Sequence, residues 1–191
     1  MKKTLIISAF FILISLHSKS QSSFELPTGY KIVSDEVGCV GDFDGDGIQD
    51  AAALCENVDG TKIIVIYLAS KWLVDKSYWW FPWDHQLTQI KFSNDVLEIS
   101  SDDSRFFIGL KLKYYASLNN MKLIGYDEIA NIFNPNTSQL ENLYSKSINL
   151  NTGEYEIDGV KREISIDLIT LSNIEKYFDY LSAVGEIYIN K

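Results

Sequence analysis

Histidine is almost absent from this sequence, and basic residues are scarce. Of the two histidines in 191 residues, His17 falls in an N-terminal leader, which leaves His85 alone in the remaining chain. No G-x-S-x-G nucleophile motif accompanies it, and no glycine-rich loop is built to cradle phosphate. His85 therefore reads as a surface or hydrogen-bonded loop residue rather than a catalytic base. The longest early apolar stretch, Leu5 to Leu16, is too short to cross about 30 Å of hydrocarbon at about 1.5 Å per residue, and no later run is long enough. There is also no Gly/Ser linker to divide the chain.

Lys2 and Lys3, the apolar stretch and the small residues at Ser18-Lys19-Ser20 form a secretory signal peptide over residues 1–20, with cleavage near Ser20/Gln21. Residues 21–191 are then expected to form one secreted or periplasmic domain, not inserted in a membrane. Loss of three lysines and no acid takes the net charge from −9 to −12. Such a surface repels phosphate backbones and anionic lipid, which excludes nucleic acid as the expected partner and favours cations. The two cysteines, Cys39 and Cys55, are an even pair in an exported chain, and a disulfide between them is expected.

What the sequence has in quantity is apolar and aromatic residues, 46% and 13% of the chain, arranged in short runs between turn signals. Asp59-Gly60, Asn94-Asp95, Asn119-Asn120 and Asp158-Gly159 each separate two runs rich in β-branched and aromatic residues. The expected fold is mainly β: an antiparallel meander or sandwich-like sheet with one C-terminal helix. In Val160–Leu168 the alternation places Ile164, Ile166 and Leu168 on one face. Ser172 and Glu175 have capping-box spacing before Ile174, Tyr177, Phe178 and Leu181, and Glu186–Asn190 reads as a final strand. The segment around Asn134–Ser138 reads as a long loop.

The most specific signal is Gly41–Asp50, "GDFDGDGIQD", with aspartates at every second position and glycines between them. Calcium takes six to eight oxygens at about 2.3–2.6 Å, and compact loops supply them from alternate residues. Asp42, Asp44 and Asp46 fit positions one, three and five. Ile48 would give its backbone carbonyl while its side chain enters the core, Asp50 would bind directly or through water, and Gly47 sits at the sharp turn. A solvated acidic turn explains the composition but not the spacing. Magnesium fits less well, because it demands near-ideal octahedral geometry.

This segment resembles the calcium loops of FG-GAP and VCBS repeats, in which D-x-D-x-D-G-x-x-D precedes a small-apolar strand. "GDFDGDGIQDAAAL" matches that pattern, and the resemblance covers about residues 40–68. It implies bound Ca²⁺ rather than an activity. An EF-hand is a poorer match, since Ala53 stands where a bidentate glutamate belongs. The loop occurs once, so a propeller of several blades is not expected. The remainder, with "KLIGYD" and "SINLNTG", resembles secreted bacterial proteins carrying a lone repeat of this kind.

Three functions are compatible with these features. The leading expectation is a non-enzymatic, calcium-stabilised interaction or adhesion-type module with a protein or glycan partner. A carbohydrate-binding module would use the cluster Trp72, Trp79, Trp80 and Trp83, although aromatic clusters more often form core, and Trp79 and Trp80 cannot both face inward on one strand. A hydrolase would need an acidic pair such as Asp102-Asp103 or Asp127-Glu128.

Overall fold

The structure, a computed structural model, describes residues 26–34, 38–69, 78–85 and 87–183. The expected leader, Trp72 and the expected strand at 186–190 lie outside them. The described residues form two antiparallel sheets. In the first, β3 (Asp50–Asn57) pairs along one edge with β4 (Lys62–Tyr67), which pairs with β5 (Tyr78–Pro82). Along its other edge β3 carries two short strands end to end: β1 (Tyr30–Ile32) against residues 55–57, and β2 (Gly38–Gly41) against residues 50–53. The second sheet is an uninterrupted meander of β6 (Thr88–Ser93), β7 (Val96–Asp102), β8 (Phe106–Tyr115), β9 (Asn120–Asn134), β10 (Gln139–Asn149), β11 (Glu154–Ile157) and β12 (Val160–Glu163).

The turns form where local chemistry asks for them. Asn94 and Asp95 both have positive φ, as do Asp158 and Gly159, which is the backbone a two-residue hairpin needs. Asn134–Ser138 is not a long loop: β9 runs to Asn134 and β10 starts at Gln139, so this segment is a tight hairpin.

One apolar core joins the sheets. Leu54, Ile64, Ile66 and Leu68 of the first face Leu97, Ile99, Leu110, Leu112 and Leu123 of the second, and burying each stabilises by about 1.5–3 kcal/mol. The other face of the first sheet buries Ala53, Cys55, Ile63 and Val65 against Leu26 and Tyr30.

The C-terminal part differs from expectation in two places. β12 ends at Glu163, and residues 169–171 run beside β9, with Leu123 N–H donating to Ile169 O and Leu171 N–H to Met121 O. Ile169 and Leu171 thereby take the core positions, and Leu168 is exposed. The capping box is not made: Ser172 Oγ accepts instead from Asn120 Nδ2 at 2.8 Å. A 3₁₀ turn, Ile174–Tyr177, leads into α1 (Phe178–Ala183), and Ile174 and Leu181 are buried in the core. No described helix is long and apolar enough to cross a membrane.

Candidate metal centre

The loop between β2 and β3 is held by the chemistry of its own aspartates. Asp42 Oδ1 accepts from Gly45 N–H at 2.8 Å and Asp46 N–H at 3.0 Å, and Asp42 Oδ2 accepts from Gly47 N–H at 2.9 Å. Gly45 and Gly47 have φ of 78° and 85°, values that a residue with a Cβ adopts only at a cost. These glycines turn the chain back so that carboxylates two residues apart approach one another. Ligand atoms of Asp42, Asp44 and Asp50 lie within 4.8 Å of one another. Oxygens on a sphere of about 2.4 Å radius are at most about 4.8 Å apart, so the spacing fits a shared calcium ion.

Asp50 connects the loop to the body. It is buried, its Oδ2 accepts from Phe43 N–H at 2.7 Å, and its Oδ1 accepts from Ala69 N–H at 2.8 Å just beyond β4. Burial pushes its carboxyl up to about 6; the two backbone donors oppose that rise, and the charges of Asp44 and Asp46 add to it. A divalent cation here would reverse the sign of the carboxylate repulsion. Phe43 is buried and packs against Phe92 of β6, ring centroids 4.8 Å apart. Gly41 makes room for this contact, since a Cβ there would lie 2.5 Å from the Phe92 ring.

One expectation about the loop is corrected. Ile48 is half exposed and does not enter the core; Phe43, at the second position, does so instead. Asp46 lies outside the converging group, and its Oδ1 accepts from Ile48 N–H at 2.8 Å. Three of the four aspartates therefore converge, along with a core anchor that the spacing of acids did not reveal.

The expected disulfide is also corrected: Cys39 and Cys55 are free thiols. Cys39 pairs with Ala52, three residues before Cys55 on β3, and an odd offset puts the two side chains on opposite faces. Cys39 packs on the inter-sheet core and Cys55 on the outer cluster. Burial pushes both thiols up to about 11, so at mildly alkaline pH only about one in a thousand is thiolate. Native protein should resist a thiol-labelling reagent, and denatured protein should take up two labels. Fast native labelling, or no labelling after denaturation, would contradict this arrangement.

The described tryptophans do not form one patch. Trp79 faces the inter-sheet core, Trp80 lies on the opposite face and is half exposed, and Trp83 is buried with its Nε1–H donating to Thr88 Oγ1 at 3.0 Å. The order of Trp79 and Trp80 along β5 explains their split, since neighbours on a strand point to opposite faces. The acidic pairs divide in the same way. Asp127 holds Lys111 at 2.7 Å on one face of β9, while Glu128 is buried on the other. Asp102 and Asp103 each accept from backbone N–H groups of their own turn.

Comparison of the chain with protein-family models, curated proteins and solved structures finds no match in any of the three.

Proposed function

We propose that the Asp42–Asp50 loop binds one calcium ion, and that the ion fixes the junction of the two sheets in an exported, non-enzymatic interaction module. The observation that carries this reading is the convergence of Asp42, Asp44 and Asp50 within one ion's coordination span. Asp46, the Ile48 carbonyl and water are the oxygens that would complete six to eight ligands. The mechanical consequence follows from Asp50 and Phe43. Through them an ion in the loop would stiffen contacts to the end of β4 and to β6. The carbohydrate reading loses its main support, because Trp79 and Trp83 face inward.

Extracellular calcium modules bind with Kd of about 10⁻⁴–10⁻³ M, so ion at tenfold excess over Kd stabilises by about 1.4 kcal/mol. Thermal denaturation should show Tm rising by roughly 3–6 °C with calcium, reversibly with chelator and far less with magnesium. Asp44→Ala should abolish the shift. An identical melting curve with and without calcium would overturn the reading.

A further inference from the structure

We propose that the cleft between α1 and the second sheet binds a compact organic cation, an alkylammonium or guanidinium head group. The cleft encloses about 210 Å³, below the roughly 300 Å³ at which drug-sized pockets begin, so it accommodates a head group rather than a large ligand. Its walls include Trp83, Phe106, Tyr126 and Phe178, with His85 and Asp179 beside them. The rings brace one another. Phe178 packs on Phe81 at 5.6 Å, Phe81 meets Trp83 edge-on at 6.4 Å, Trp83 meets His85 at 4.7 Å, and His85 stacks on Phe106 at 6.1 Å. Aromatic walls attract cations through the negative charge of their ring faces.

The charges around the cleft favour the same ligand class. Asp179 lines it and is exposed, and Asp84 and Asp103, also exposed, both act electrostatically on His85. The one basic residue on the Asp103 turn is Arg105. Burial holds the His85 imidazole below its ordinary value, so near neutral pH it adds no positive charge. Lys146 does not repel an incoming cation strongly, because its Nζ is paired with Glu128 at 2.9 Å and donates to Ser182 O at 2.6 Å. That ammonium already sits 5.6 Å from the Tyr126 ring centroid, so one ring of this cleft hosts a cation in the protein itself. An anion would meet the Asp179 carboxylate in the cleft itself, with Asp84 and Asp103 close enough to act on His85 beside it.

The test follows the Trp83 indole N–H by NMR in the full exported protein, with chelator present so that the outcome is independent of the calcium loop. Choline, butylammonium and butylguanidinium are titrated against 3,3-dimethylbutan-1-ol, the neutral isostere of choline. The cations should shift the Trp83 signal saturably and bind roughly tenfold tighter than the alcohol. Asp179→Asn should weaken them severalfold while leaving the melting temperature unchanged. A capped tripeptide carrying lysine or arginine separates two sources of the head group: tighter binding than choline points to a protein side chain, and weaker binding to a free small molecule. Equal affinity for the alcohol, or no cation shifting Trp83, would overturn the proposal.

Discussion

Replacing Lys146 by methionine should destabilise the domain by about 3–5 kcal/mol and lower Tm by roughly 10–15 °C. Lys146 and Glu128 face each other across β9 and β10, with side chains only 3% exposed and Nζ 2.9 Å from Oε2. Glu128 also accepts from the Tyr126 hydroxyl at 2.7 Å and from the Tyr144 hydroxyl. The buried pair is thus hydrogen-bonded on several sides, and removing the lysine leaves an uncompensated buried carboxylate. A double replacement, Lys146→Met with Glu128→Leu, should recover much of the loss, because the desolvation cost of both charges disappears together. Chemical denaturation of the two single variants and the double variant gives the coupling directly. A loss below about 1 kcal/mol for Lys146→Met would mean that water reaches the pair.

Phe43→Ala should cost about 3–5 kcal/mol even in chelator, which separates the anchoring of the loop from the proposed metal binding. Phe43 is 3% exposed and fills the space between the loop and Phe92, with Gly41 leaving room for the ring. Truncation leaves a void that the hairpin cannot close, because Gly41 and Asp50 on either side are fixed by pairing with each other. The calcium-dependent gain in Tm should also shrink in this variant, since the loop no longer transmits order to β6. Urea unfolding with chelator, then with calcium, checks both parts. A Phe43→Ala variant as stable as the parent would show that the loop is not docked.

The sequence made the fold class legible because hairpin turns and strand alternation are local properties. Asn94-Asp95 and Asp158-Gly159 carry their turn geometry in two residues each. The loop was legible for a similar reason, since its carboxylates are brought together within nine residues. What remained hidden depends on register between distant strands. The opposite facing of Cys39 and Cys55 appears only once Cys39 is set beside Ala52. Lys146 and Glu128 look like ordinary surface charges until β9 and β10 pair and carry them under α1. Phe43 rather than Ile48 enters the core because a loop closed by Gly45 and Gly47 does not keep strand alternation.

Isothermal titration of calcium into metal-free protein near neutral pH tests the proposed binding of one calcium ion by the Asp42–Asp50 loop. The expected result is a single site with Kd of about 10⁻⁴–10⁻³ M, absent in Asp44→Ala and in Asp50→Ala. No saturable heat in the parent protein, or the same isotherm in both variants, would contradict it.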